Sequence, residues 1–566
     1  MLKRRFLTVA AAGTLVFAFL QTTAVRADSP VPTPLTRTEF GRRILGPIDP
    51  SIAGGGVSVY RNAPNPICTQ TQADGAVHRT DCEGNAPDNE TSIAVDPSNP
   101  SILLAAGNDY QLAITSGGQV KGFSFTRPQV STDGGTTWVS HPIKYTGNSS
   151  TGDPAVAIDA AGTQYVAALG FTYPQGPTVN AKNPDVLVAH STDHGATWST
   201  PASIALGSGQ FNSPGIFNDK EMIAAWGNGN AIVTWTRFLG GYQGSYVQSP
   251  IYASVTHDGG NTWTPGVQIS GSASFCAGTG PGGPNDCNNS QGSWPAVAAD
   301  GSIYVTFVST DPTSSDFADN LLVVKVDPQT AQLVGGPYVV SRVQDGLNDY
   351  PLSAFGELTL HDSQFRVPAF GNIAADPTNT QHLATTWSDM RNSPSAGGND
   401  FQNGVFQDPY ATATNSDVMM SQSFDGGLTW SAAAPVRANT TGDQFFSSAA
   451  FLSDGRLVVG MMDRSADPAN DAYTYTLSLL KAGSWTTQNV SGAASDPTKN
   501  NRWFTGGLVF PGFPYPSSFI GDYTTIAASG TTVHPLWTDL RNPTTFGIRT
   551  GADQQLMTTS FRYRHA

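Results

Sequence analysis

The chain has 566 residues, of which charged side chains make up only 13%, with 60 Gly, 39 Pro and a formal net charge of −14. Abundant turn formers and sparse charge suit many short strands joined by turns and exclude an architecture of long salt-bridged helices. An acidic chain with no Lys/Arg cluster beyond its first residues also excludes nucleic acid as a partner, because phosphate binding needs a basic surface that displaces counterions.

In chain order, Lys3, Arg4 and Arg5 precede an apolar run from Phe6 to Leu20, and small residues from Ala24 to Ala27 follow it. This is the pattern of an export signal, so residues 1–27 read as a leader and the mature protein as secreted. The partial match at Arg4-Arg5-Phe6-Leu7 leaves twin-arginine export as the alternative. No later stretch approaches the ~20 consecutive apolar residues of a spanning helix, so a soluble monomer without a membrane span is expected. Residues 28–87 read as an N-terminal extension. It holds Cys68 and Cys82, and the other two cysteines are Cys276 and Cys287. Export permits disulfides, and local pairing is the simplest of three connectivities. Neither pair has the spacing or the His partners of a zinc site.

From residue 88 to residue 566 one unit recurs: a polar start, an apolar strand, a turn and a second apolar strand. It spans Glu90 to Asp109, Asp153 to Thr172, Asp219 to Arg237, Trp294 to Asp311, Gly371 to Arg391, Phe446 to Arg464 and Asp522 to Arg541. The spacing suits a four-stranded propeller blade, so an all-β fold is expected, a single β-propeller of seven blades with six as the alternative. Four units are followed by one pattern, S/T-x-D-x-G-x-T-W, at Ser131 to Trp138, Ser191 to Trp198, Thr256 to Trp263 and Ser423 to Trp430. It reads as a tight hairpin: Asp accepts backbone N–H bonds, Gly permits positive φ, and Trp packs between strands. The segments at Val326 to Gly335 and Lys481 to Gln488 read as degenerate hairpins in the same place. The last unit runs out of sequence, and the stretch Gly56 to Tyr60 is expected to close the ring by supplying its fourth strand.

The hairpin pattern resembles the Asp-box repeat of the sialidase superfamily. Strand direction puts first-strand starts and second-strand ends on one face, the top, and the hairpins on the other. Two second-strand ends are near duplicates, Trp387 to Asn392 and Trp537 to Asn542, with Asp463-Arg464 between them in the chain. Such D-x-R pairs can stiffen the rim as ion pairs or gather guanidinium groups that bind a sugar carboxylate through two parallel hydrogen bonds.

The resemblance implies a retaining glycosidase with a Tyr nucleophile assisted by Glu, an Asp acid/base and arginines that hold an anionic sugar. The matching positions are Tyr523 and Glu221, with Asp400 as the loop acid. Arg366, in Phe365-Arg366-Val367-Pro368, stands with Arg391, Arg464, Arg541 and Asp522 as substrate-binding residues. The family is six-bladed and carries its R-x-P motif in the first blade, whereas here the motif falls in the fifth of seven units. The expected activity is an exo-glycosidase acting on an anionic sugar. The alternative is a non-catalytic propeller that binds glycan, cell-wall polymer or protein through its top face. No cofactor is expected. A structural calcium is the bland reading of crowded carboxylates, but no D-x-D-x-D-G loop supports it.

Overall fold

The computed structural model describes residues 76–564 apart from 82–87, 115–119, 149, 173–181, 209–214, 241–245, 315–317, 347–348, 354–357, 394–412, 438–440, 499–518 and 547–548. The leader, the stretch 56–60, Cys68, Cys82 and Asp400 lie outside the described residues.

Seven antiparallel sheets follow one another along the chain, and each is a blade of the expected propeller. Their first strands are Asp88–Val95, Ser150–Ile158, Gly215–Trp226, Ser290–Val297, Asn372–Ala375, Gln444–Phe451 and Thr525–Ser529. These contact one another in an unbroken cycle in which the seventh meets the first, so they line the axis. Second strands are buried on both faces by neighbouring blades and therefore read as nearly continuous apolar runs. In Gln164–Thr172 no residue from Tyr165 to Leu169 is more than 1% exposed. An outer strand such as Ser484–Asn489 faces solvent and is polar.

The chain closes the ring with its own N-terminal part. His78–Arg79 pairs with Gln555–Thr558 as the outermost strand of blade 7, with His78 opposite Thr558. Closure by an N-terminal strand was expected, but at residues 56–60; the described closing strand lies about twenty residues later. In blade 1 a single bridge between Val130 and Val139 stands in the fourth position.

The four patterned hairpins share one set of bonds. The hydroxyl of Ser131 donates to Asp133 Oδ1 at 2.8 Å and accepts from Gly135 N, while Thr137 donates to both Asp133 oxygens from its amide and its hydroxyl. The same contacts recur at Ser191/Asp193/Thr197, Thr256/Asp258/Thr262 and Ser423/Asp425/Thr429. Positive φ at the fifth position, 95° at Gly135 and 71° at Gly195, is why that position is Gly in all four. Trp138 is fully buried and ties its indole N–H to Gly135 O. The degenerate hairpins keep the turn by other means: Asp327 accepts from Gln329 N and Thr330 N, and Ala482-Gly483 makes a two-residue turn with both φ positive.

Candidate functional site at the top of the axis

Because Ser131 pairs with Leu103 at one end of blade 1 and Asp88 with Asp109 at the other, the hairpins lie on the face opposite the first-strand starts. At those starts the ladder is interrupted by an extra residue in blades 1, 2, 3, 4 and 6. The extra residue takes a left-handed conformation: Glu90 (φ 54°), Asp153 (φ 53°), Lys220 (φ 54°), Gly292 (φ 66°) and Phe446 (φ 49°). Only one of the five is Gly. Each of the others stores strain on the order of 1–3 kcal/mol, in return for a side chain aimed at the axis.

Three of those side chains meet. Lys220 Nζ lies 3.2 Å from Glu90 Oε1, 2.7 Å from Asp153 Oδ2 and 2.5 Å from Asp522 Oδ2. Arg366 reaches Asp522 from blade 5 through two parallel bonds, its Nε at 2.6 Å from Oδ1 and its Nη2 on Oδ2. Asn108 donates to Glu90 Oε2 at 2.7 Å and accepts from Asp153 N. Lys220, Glu90 and Asp522 are all nearly or fully buried. Burial alone would raise Asp522, but the Arg366 and Lys220 charges outweigh it and hold the carboxyl well below its usual range. Burial and then the Asp153 charge push Glu90 well up. Burial would depress Lys220, yet its three carboxyl partners prevail and keep it charged. The axis thus gathers around one ammonium carboxyl groups whose proton affinities are shifted in opposite directions.

Tyr523 lies beside this cluster, with Lys220 Nζ 5.9 Å from its ring centroid and Trp294 edge-on at 6.3 Å. Its hydroxyl donates to Pro154 O at 2.9 Å, and burial followed by the Glu90 charge raises the phenol well above its normal value. Glu221 is fully buried, and neither of its oxygens has a hydrogen-bond partner. Burial and the Asp153 charge push it well up. The phenol is therefore bonded to a carbonyl where a Glu221 contact was expected.

Of the four arginines expected to hold substrate, only Arg366 reaches the axial cluster. Arg391 lies along both oxygens of Asp389, with Nε at 2.9 Å and Nη2 at 2.6 Å, and Trp387 Nε1 donates to the same carboxylate. Arg541, Asp539 and Trp537 repeat this arrangement at 2.8, 2.7 and 2.9 Å. The duplicated W-x-D-x-R sequence is thus a Trp–carboxylate–guanidinium brace on the rim. Arg464 is fully buried: it donates to His361 O, Asn470 O and Ser363 Oγ, and its guanidinium lies over the rings of Phe365 and Phe445.

Next to the cluster a cleft holds about 420 Å3 of empty space, its open mouth included. Lys220, Asp522 and Tyr523 form its charged end, and Trp294, Phe370 and Phe446 its apolar walls. Gly292 makes room for a wall, because a Cβ there would stand 2.3 Å from the Phe370 ring. Lys220 as a hub and these aromatic walls were missed in the sequence. The signal was the charged or bulky residue two or three positions before the first apolar residue of successive units, as in Glu90, Asp153, Lys220 and Phe446.

Cys276 and Cys287 form a disulfide, the local pairing expected. Among the described residues no group of three or more His, Cys, Asp or Glu side chains is arranged to hold a metal ion, and no helix is long and apolar enough to cross a membrane.

No protein-family model matches the chain, and no curated protein matches it. Among solved structures it is similar to a protein of unknown function from Dyadobacter fermentans, 11% identical with a TM-score of 0.41, covering 86% of this chain and 98% of that one. It is similar at 11% identity to the Hadza microbial sialidase Hz136, with a TM-score of 0.38, 84% of this chain and 66% of that one. A third similar structure is the Penicillium chrysogenum alpha-L-arabinanase, at 11% identity, a TM-score of 0.39, and 86% and 98% coverage.

Proposed function

We propose that this chain is a secreted, carbohydrate-active propeller of sialidase-like architecture, a glycoside hydrolase that works in the cleft at the top of its axis. The observation that carries the reading is the cluster of carboxyl groups gathered on Lys220 at the end of that cleft. Asp522, held down by the Arg366 and Lys220 charges, lines the cleft, and Glu90, pushed up by burial, stands on the same ammonium. Groups whose surroundings push their pKa values apart are what acid/base hydrolysis of a glycosidic bond requires. Tyr523 stands at the same end of the cleft, and attack by its oxygen requires release of its bond to Pro154 O. The leader pattern and the Cys276–Cys287 disulfide support an extracellular setting.

That tie to a backbone carbonyl also favours a second reading, a non-catalytic module that holds glycan in the same cleft. The test is hydrolysis of a panel of fluorogenic glycosides by the mature chain and by Tyr523→Phe. Turnover lost in the variant, with its unfolding transition in place, supports the tyrosine mechanism. Turnover kept in the variant moves the chemistry to the carboxyl groups. Binding without turnover on any substrate favours the second reading.

A further inference from the structure

Resting on that glycan-directed reading, we propose that the cleft takes a neutral sugar unit, its apolar face against Trp294 and Phe370, and discriminates against carboxylated sugars. Charge balance is the first ground. Lys220 is the one cation lining the cleft among the described residues, and three carboxyl groups already stand within 3.2 Å of its Nζ. The fork of Arg366 is taken up by both oxygens of Asp522, and those of Arg391 and Arg541 by Asp389 and Asp539. Arg464 is enclosed between its own blade and the segment 361–365, on Asn470 O, His361 O and Ser363 Oγ. An entering carboxylate therefore meets no open guanidinium fork among these four. It meets instead the Asp522 carboxylate, which stays ionised and lines the cleft, and like charges brought together out of water repel strongly.

The walls are the second ground. Trp294, Pro368 and Phe370 remain only half-buried although apolar, and all three line the cleft. An aromatic face left open beside polar groups suits the C–H face of a pyranose, where apolar area is covered while the hydroxyls stay hydrogen-bonded. Ser447 lines the same cleft, and its buried Oγ has no hydrogen-bond partner. A buried hydroxyl left unpaired is costly, and a sugar hydroxyl would satisfy it. Apolar walls, an unpaired hydroxyl and a neutralised cation together select an uncharged, hydroxyl-bearing ring.

The experiment is calorimetric binding of matched pairs, a methyl glucoside against its glucuronide and a galactoside against its galacturonide, with a sialoside alongside, to the mature chain at neutral pH. The neutral member of at least one pair is expected to bind, its acid at least about a hundredfold more weakly. Trp294→Ala should weaken the neutral ligand roughly thirtyfold, and Trp294→Phe should retain it, with urea unfolding confirming that both variants are folded. A uronate or sialoside bound as tightly as the neutral sugar would overturn the proposal. So would neutral binding unchanged in both Trp294→Ala and Ser447→Ala. Failure of every sugar to bind would overturn the glycan reading itself, and this one with it.

Discussion

Lys220 shows how one residue joins distant parts of the chain, since its ammonium gathers carboxyl groups from blades 1, 2 and 7 in a nearly water-free place. A buried ion cluster adds little net stability relative to an apolar core, but breaking one partner leaves the others uncompensated. Lys220→Met should therefore lower unfolding free energy by about 3–5 kcal/mol, read from urea denaturation; a change within error would show that water reaches the cluster freely. The chemistry at this scale was only partly legible in the sequence. Arg391 and Arg541 stood out as candidate anion grips, but a guanidinium two residues from an aspartate on the same strand end closes on that aspartate first. Lys220, whose partners lie 67 residues away or more, carried no local sign of its role.

The hairpins are stabilising elements remote from the cleft. Asp133→Ala removes the acceptor of three Thr137 and Ser131 bonds and should cost about 1–2 kcal/mol in chemical unfolding, with glycan binding by the folded fraction unchanged. Loss of binding at unchanged stability would place the site on the wrong face. Acid should act on the elements in order. Burial depresses His534 to about 4, so the unfolded state binds a proton that the folded one refuses. Its contribution is present above the unfolded value near 6.5 and is lost as pH falls toward 4, for a total of roughly 3 kcal/mol. The Thr197 bonds hold Asp193 down to about 2, so stability from that hairpin is present above about 4 and lost as pH falls through 2. The unfolding free energy of the parent relative to that of His534→Gln should thus decline between about pH 6.5 and 4, against the opposite trend from the buried carboxyls of Asp319, Asp417 and Asp553, raised to about 7, 6 and 6 and so favoured by acid. These hairpins were legible because the Ser/Thr–Asp–Thr bonds that define them are local, made by residues within eight positions of one another.

At the scale of the whole molecule, the repeat of apolar strand pairs specified the blades, because each second strand must be buried on both faces. Closure was harder to place: a two-residue strand at His78–Arg79 has no periodicity to read, and only its pairing with Gln555–Thr558 identifies it. Removing residues 1–81 should open blade 7, lower the unfolding midpoint and expose the 555–558 edge to proteolysis; an unchanged midpoint and cleavage pattern would deny the closing role.

The central claim, that the axial cleft is where this propeller meets carbohydrate, is tested most directly by a crystal structure of the mature chain with the tightest-binding neutral glycoside. The account predicts one sugar ring between Trp294 and Phe370, with hydroxyls near Asp522 and Ser447. A sugar bound on the rim braces, or on the face that carries the hairpins, with the cleft occupied only by water, would contradict it.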